Sequence, residues 1–178
     1  WIAATTEGFK FALKAHQMIT HIKRLRDTSD WLTRFFSSLR PLEDSNKLGP
    51  VLFQLPPNLK CDVALLRRFL EDLPPGPRCA FEFRDASWFC EEVYEALRSR
   101  NAALCQAESE KLETPAIRTA DFSYLRLRKE EYAPAELARL KTSVEEMSKA
   151  GEAFVYFKHE ETPQGALYAE GLISTAPR

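Results

Sequence analysis

The sequence has 178 residues, 44% hydrophobic and 29% charged, which is the composition of an ordinary globular domain long enough to bury a core. It has 25 lysines and arginines and 26 aspartates and glutamates, so the net charge of −1 gives no overall positive field to favour nucleic acid or an anionic membrane. Low-complexity sequence, a disulfide-stabilised miniprotein and a membrane span of about 20 apolar residues are excluded.

The first strand and helix are predicted within the first 41 residues. Apolar and polar residues alternate over 9–14, which predicts a strand ending in Lys14. Apolar residues at helical spacing follow Thr28 and continue to Leu39. We therefore predict an amphipathic helix that ends before Pro41.

Two further strand and helix pairs follow. The apolar run 51–55 predicts a strand stopped by two prolines, and Asp62 is suited to cap the next helix, which continues to about residue 73. After the linker 74–77, alternation over 79–84 predicts the third strand. A helix is predicted from about Trp88 to Arg100.

The second half repeats the same order with one long polar loop. We predict strands over 102–106, 122–127 and 153–158. We predict a helix opened by Pro134 and closed near Gly151, and a short helix over roughly 165–174. The segment after residue 106, through Pro115, is predicted to be a loop.

Six strands, mostly separated by helices, predict an α/β fold with parallel pairing in a single domain over 1–178. Two architectures fit this pattern, an open doubly wound sheet and a (β/α)8 barrel. The first usually has a glycine-rich phosphate loop after its first strand, and neither GxGxxG nor GxxxxGK occurs here. A barrel needs eight strands and about 200–250 residues, so six units would be three quarters of one.

Five segments carry a resemblance to a known family. They are GFKFALKA with ITH (8–15 and 19–21), FQLPP (53–57), FEFR with SWF (81–84 and 87–89), YLRL (124–127) and YFKHE (156–160). In collinear order these segments resemble the YecE-like family, domain of unknown function 72. The resemblance implies a TIM-type barrel in which this chain supplies units three to eight, with two units missing before Trp1. The activity of the family is not established.

The sequence departs from the pattern of that family at two strand ends. Many members have His-Gly where this chain has Arg128-Lys129, and paired asparagine near the eighth strand where it has Lys158-His159. These departures weaken any site carried over to those two positions.

Alternation places charged and polar side chains inside the predicted barrel. In a parallel barrel, inward side chains at the C-terminal ends of the strands line the active-site mouth. If Phe81 and Phe83 face the helices, Glu82 and Arg84 face inward. The same argument places three others inside: Lys14, Tyr124 and Arg126.

Charges on an otherwise apolar strand need a ligand or one another, since burying them singly costs several kcal/mol each. One hypothesis makes Glu82 a general acid or base, and Lys14, Arg84 and Arg126 donors that hold a phosphate or carboxylate. The alternative is a structural network of ion pairs that plugs the barrel.

Further candidate residues lie near the same strand ends. His21, in a loop after Lys14, is added to Glu82 and Lys14 as a catalytic candidate. Gln54 could bind substrate through its amide, and Trp88 could stack on a sugar or base ring or simply pack. The remaining substrate-binding candidates are Arg84, Arg126, Tyr124 and Lys158.

Few signals indicate a metal or a cofactor. Three histidines are too few for a multi-histidine centre, so we predict no metal site but leave a carboxylate-rich Mg²⁺ site open, and the cofactor is unknown. Four cysteines without a CxxC pair predict reduced thiols. The basic run 21–26 is interpreted as a surface face rather than a nucleic-acid site.

Three hypotheses remain at this point. The first is a cytoplasmic barrel enzyme acting on a small anionic or polyhydroxylated substrate, such as a phosphate or sugar acid, with no membrane partner. The second is a noncatalytic domain that binds a phosphate ligand or nucleic acid. The third is a fragment inactive by itself, in which a partner chain or a missing N-terminal segment completes the barrel.

Overall fold

The computed structural model describes residues 1–108, 112–158 and 163–173. Its strands are β1 Phe11–Lys14, β2 Leu48–Gln54, β3 Cys79–Glu82, β4 Ala103–Ala107, β5 Ser123–Leu127 and β6 Ala153–Phe157. Its α-helices are α1 Ser29–Asp44, α2 Val63–Asp72, α3 Glu91–Ser99, α4 Pro134–Ala150 and α5 Gln164–Ile173. A π-helical turn, Met18–Ile22, follows β1, and 3-10 turns occupy Ile2–Ala4 and Ala86–Trp88.

The strands form one sheet in sequence order, β1 to β6, and every neighbouring pair is parallel. The sheet curls into a half-barrel, consistent with a TIM-barrel-like fold. The predicted parallel α/β fold is therefore confirmed. Because all strands run the same way, their C-terminal ends meet at one edge of the sheet. We call the interior side of this edge the mouth.

The two faces of the sheet pack differently. The outer face packs under helices α1 to α3 with large apolar residues, among them Phe53 and Phe81, which contact Phe69 of α2. The inner face has a smaller cluster: Leu52, Ala80, Ala103, Cys105, Ala120, Phe122, Tyr124 and Phe154. The alternation seen in the sequence thus separates an apolar outer layer from an inner layer that becomes polar at the mouth.

Helix boundaries agree with the sequence where a cap determines them. Asp62 caps α2, because its carboxylate accepts the N–H of Leu65 at 2.9 Å. Gly151 ends α4, but with an extended backbone rather than a left-handed one. A Cβ at this position would lie 1.8 Å from the carbonyl oxygen of Asp121, so close backbone approach requires glycine there.

Two predicted boundaries are wrong. Helix α1 continues through Pro41 to Asp44, because one missing N–H near the end of a helix does not prevent its last turn. The helix predicted to begin at Trp88 is divided into a 3-10 turn and α3, which begins at Glu91. Asp85 stabilises the separate turn by accepting the backbone N–H of Ser87 at 3.0 Å.

Among the residues described, no helix combines the length and the apolar character that crossing a bilayer requires. All four cysteine thiols are free.

Candidate functional site

Glu82 lies at the centre of the mouth. It ends β3, points inward and is 1% exposed. Its Oε1 accepts hydrogen bonds from Gln54 Nε2 at 2.8 Å, Arg128 Nη2 at 3.0 Å and Arg84 Nε at 3.1 Å. Its Oε2 accepts one from Arg126 Nη1. Four donors on two oxygens satisfy this buried carboxylate.

The three arginines reach Glu82 from two strands; we call them the arginine cluster. Arg84 lies two residues beyond Glu82, whereas Arg126 is in β5 and Arg128 follows it. β4 lies between β3 and β5, and its inward side chains are small: Ala103, Cys105 and Ala107. Small side chains on β4 and the curl of the sheet let the β5 guanidiniums cross to β3.

Gln54 connects Glu82 to Lys14. The Gln54 amide nitrogen donates to Glu82, and its Oε1 accepts from Lys14 Nζ at 2.8 Å. These partners fix the amide orientation, because a carboxylate only accepts and an ammonium only donates. The strand register explains the arrangement, since Gln54 of β2 pairs directly with Glu82 of β3. Gln54 therefore holds Lys14 apart from the carboxylate.

The electrostatics of Glu82 favour its charged form. Burial alone would raise the pKa of Glu82, but the hydrogen bond from Gln54 and the positive charges of Arg126 and Arg128 outweigh burial. Together they hold the pKa of this carboxyl below its usual range. Glu82 is consequently a carboxylate at neutral pH.

Lys14 and His21 line a depression of about 250 Å³ beside this network, together with Ala15 and Gln17. Burial, then the positive charges of Arg126 and Arg84, lower the pKa of Lys14. Burial, then the charge of Lys14, also lowers the pKa of His21. The Nδ1 of His21 lies 2.8 Å from the hydroxyl of the buried Thr20. A neutral imidazole and a lysine with a lowered pKa therefore face the same small space.

Arg128 has an unusual local environment. Its Nη2 binds Glu82, whereas its Nε is buried and has no hydrogen-bond partner among the residues described. An unpaired buried donor costs about 1–3 kcal/mol. In the sequence, Arg128 was only noted as a departure from the family pattern. The signal that could have found it is its register, because it shares the alternation of Tyr124 and Arg126.

Glu108 holds the loop after β5 in place and was also missed. Its Oε2 accepts the backbone N–H of Arg128 at 2.7 Å and the hydroxyl of Tyr132. Tyr132 packs edge-on against Phe157 and Tyr168, which follow from β6 and α5. The polar segment after β4 has no periodicity, so nothing in the sequence marked Glu108.

The structure brings most predicted site residues to the mouth: Lys14, His21, Gln54, Glu82, Arg84 and Arg126. Lys158 follows β6, and its charge also contributes to lowering the pKa of Lys14. Tyr124 faces inward but is buried against Tyr156, with ring centroids 5.2 Å apart. It lies one layer below the mouth.

Trp88 lies away from the mouth. It is fully buried on the outer side, stacks on Phe83 with ring centroids 4.7 Å apart, and donates its Nε1–H to the carbonyl oxygen of Leu59 at 2.7 Å. Its ring has no exposed face for a substrate, and of the two predicted roles this geometry fits packing.

His159, Glu160 and Glu161 lie outside the described residues. Within the described part, no three metal-ligating side chains of the His, Cys, Asp or Glu type group together.

The comparisons with known proteins agree with the fold. A DUF72 family protein from Thermotoga maritima superposes with a TM-score of 0.87 at 27% identity, covering 97% of this chain and 75% of that one. A DUF72 family protein from Enterococcus faecalis superposes with a TM-score of 0.77 at 23% identity, covering 98% of this chain and 80% of that one. At this identity the second likeness shows the fold alone.

Sequence comparison gives the same family. UPF0759 protein YunF of Bacillus subtilis is 39% identical over an alignment of 102 residues that covers 53% of this chain. The match spans only 36% of the length of that curated relative. The model of the family described as "Protein of unknown function DUF72" matches residues 1–177. The chain therefore belongs to the DUF72 family, which is the YecE-like family that its sequence resembles.

Proposed function

We propose that the chain binds a small molecule carrying a phosphate or carboxylate group at the mouth and acts on it as a barrel enzyme. The charge imbalance carries this proposal. Among the described residues, the three guanidiniums of the arginine cluster pair with one carboxylate, that of Glu82, and Lys14 adds a fourth basic side chain beside them. The excess positive charge lies where barrel enzymes bind their substrates. A sugar acid or a sugar phosphate would also offer hydroxyl groups to the same donors.

The remaining hydrogen-bond capacity of the arginines argues against a structural plug. Each guanidinium has five N–H donors in a planar fork that matches carboxylate and phosphate. Within the described residues, each guanidinium of the cluster donates one N–H to Glu82. A plug would balance its charges and satisfy its donors, whereas this cluster retains donors and a buried, unpaired Arg128 Nε.

The contacts of Glu82, Gln54 and His21 favour roles for these residues that differ from those expected from the sequence. Glu82, held ionised, positions the arginine cluster rather than serving as a general acid. Gln54 positions Lys14, since both ends of its amide bind protein groups. His21 is the candidate acid–base group, because a neutral imidazole near the substrate exchanges protons readily.

The six units are proposed to be six of the eight units of a closed (β/α)8 barrel, within a single domain. Two observations support this proposal. In the described part of the chain, β1 and β6 are the edges of the curled sheet. The Thermotoga relative is matched over 75% of its length, which corresponds to six units of eight.

A noncatalytic phosphate-binding domain is the second candidate. The observation that favours it is the complete satisfaction of Glu82, which leaves this carboxylate no proton to exchange near neutral pH. The two candidates share the anion site and differ in whether Lys14 and His21 react with the bound molecule.

Titration calorimetry with inorganic phosphate at low ionic strength tests the anion site. We expect phosphate to bind the wild type, and Arg128→Gln to weaken binding at least tenfold, because a charge-assisted hydrogen bond contributes about 1.5–3 kcal/mol. The matched control is Arg67→Gln, which removes the same charge from the exposed side of α2. Absence of phosphate binding to the wild type, or an equal loss in both variants, would overturn the proposal.

A further inference from the structure

Lys14 has surroundings that differ from those of an ordinary lysine at a strand end. Its Nζ binds a neutral amide, the Oε1 of Gln54. Among the residues described, no carboxylate lies within 4 Å of it, so it forms no ion pair there. The nearby carboxylate, Glu82, is engaged by the arginine cluster and by the other end of the same amide.

The charged and titratable groups facing Lys14 are mostly cations. They come from four places: Glu82 at the end of β3 with Arg84 just after it, Arg126 on β5, Lys158 after β6, and His21 in the turn after β1. Of these described groups, only Glu82 is negative. A lysine beside other cations and partly removed from water loses its proton more readily, which is one established way to make an amine nucleophilic.

We propose that Lys14 is a nucleophile that forms an iminium with an aldehyde or ketone bearing a phosphate or carboxylate group. The inference rests on the proposed anion site, because the arginine cluster would hold the acidic group of the same molecule. The depression of about 250 Å³ beside Lys14 has room for the carbonyl end of a small molecule. The substrate class is thus a small oxo-acid or a phosphorylated sugar-type carbonyl compound.

The reaction step balances without a further co-reactant. The unprotonated Lys14 amine attacks the carbonyl carbon, a C–N bond forms, and the nitrogen gives up one proton while the former carbonyl oxygen takes up one, which gives a neutral carbinolamine. A second proton reaches that hydroxyl, the C–O bond breaks, and water leaves the iminium carbon. Overall, an amine, a carbonyl compound and one proton give an iminium and water.

His21 is placed to move these protons. It lines the same depression as Lys14, and its Nδ1 is engaged by Thr20. Nε2 is therefore the ring nitrogen left to exchange a proton with the carbinolamine oxygen.

Reductive trapping tests the nucleophile separately from the anion site. The full chain is incubated at neutral pH with limiting propanal, an uncharged aldehyde, and sodium cyanoborohydride, and the modified lysines are quantified by peptide mass spectrometry. Lys10 is the internal control, since it precedes the same strand and binds Asn46. We expect Lys14 to be modified at least tenfold faster than Lys10. Equal rates would overturn the inference while leaving the phosphate titration result untouched.

A second arm uses glyoxylate, which carries a carboxylate beside its aldehyde. We expect glyoxylate to increase the preference for Lys14 further, and inorganic phosphate or Arg128→Gln to remove that increase but not the preference seen with propanal. If neither changes labelling by glyoxylate, the proposed substrate class is wrong.

Gln54→Glu tests whether the Gln54 amide keeps Lys14 away from a negative charge. This substitution keeps the shape of the side chain but places a carboxylate on Lys14 Nζ, which would stabilise the ammonium form, and it removes the N–H that Gln54 donates to Glu82. Relative to the wild type at the same pH, we expect labelling of Lys14 by propanal to fall at least tenfold at neutral pH and to return towards the wild-type rate near pH 10, where lysines ordinarily lose their proton. A purely structural role for Gln54 predicts no such pH-dependent recovery, and unchanged labelling would contradict the inference.

Discussion

Glu82 balances part of the positive charge at the mouth, so Glu82→Gln removes one charge without changing the shape of the side chain. Three guanidiniums would then face one another without a counter-ion. Removing one partner of a buried ion pair costs about 3–5 kcal/mol. We expect the free energy of unfolding, measured by urea denaturation, to fall by about this amount, and added phosphate to restore part of it.

The control for this prediction is Glu95→Gln, which breaks an exposed pair with Arg67 whose atoms are 3.9 Å apart. Exposed pairs contribute about 0–1 kcal/mol. If both substitutions reduce stability equally, Glu82 does not hold the arginine cluster together.

The lowered pKa of Glu82 also predicts a pH dependence. A carboxyl whose pKa is lower in the folded state stabilises the fold above its unfolded pKa, about 4.3 for glutamate. This contribution disappears as the pH falls through the folded value. The difference in unfolding free energy between wild type and Glu82→Gln should therefore be constant near neutral pH and shrink below about pH 4. A difference that grows on acidification would contradict the assigned direction.

Alternation in the sequence predicted which residues of β1, β3 and β5 face inward, because a period of two is a local property of a strand. It did not predict that Gln54 separates Lys14 from Glu82. That arrangement depends on the pairing of β2 with β3, which only the folded sheet determines. Arg128 followed the inward register but lay beyond the predicted strand, and its long side chain reaches Glu82 across β4.

The N-termini of α1 and α2 make a matched pair for testing helix caps. The side chain of Asp62 caps α2, whereas the hydroxyl of Thr28, the residue before α1, is buried without a hydrogen-bond partner in the described structure. Asp62→Ala should lower the unfolding free energy by about 1 kcal/mol. Thr28→Val replaces the unpaired hydroxyl with a methyl group and should leave stability unchanged or raise it.

Thermal and urea unfolding of the two variants measures this contrast. Asp62→Asn serves as the control, since it keeps an oxygen that accepts the N–H of Leu65 but removes the charge paired with Arg26. If Thr28→Val is as destabilising as Asp62→Ala, the Thr28 hydroxyl makes a stabilising hydrogen bond in solution.

Helices and strands were predicted in the correct order because their apolar periodicities differ. Boundaries were less predictable where packing outweighed local signals. Pro41 is a helix breaker in isolation, yet α1 continues past it because a helix loses only one hydrogen bond there. Trp88 begins a helical pattern in the sequence, but its ring packs in the outer core, where it stacks on Phe83 and donates a hydrogen bond to the carbonyl oxygen of Leu59. The chain then restarts as α3.

The strand count and parallel order followed from the sequence, whereas the curl of the sheet did not. Curl depends on the twist and stagger of neighbouring strands across the whole sheet, which no single segment of the sequence contains. An open sheet and a barrel have the same local patterns. The curl of the six-stranded sheet in the structure is consistent with a TIM-barrel-like fold.

The edges of the curled sheet lead to a prediction about association. The N–H groups of Phe11, at the start of β1, and Ala15, just after its end, donate to the carbonyl oxygens of Lys47 and Leu52 on the β2 side. Since successive residues of a strand point to opposite sides, the N–H of Ala12 faces the open edge. The exposed Phe9 lies beside this edge. Unpaired strand edges readily pair with another chain.

We therefore expect the 178-residue chain to self-associate in sedimentation experiments and to bind hydrophobic dyes. Ala12→Pro should reduce association, because proline removes the outward N–H and obstructs strand pairing while leaving the bonds to β2 intact. Ala12→Val keeps the N–H and should associate like the wild type. A dye-silent monomer that unfolds sharply at all concentrations would contradict the expectation, and it would mean that the edges of β1 and β6 are protected without two further barrel units.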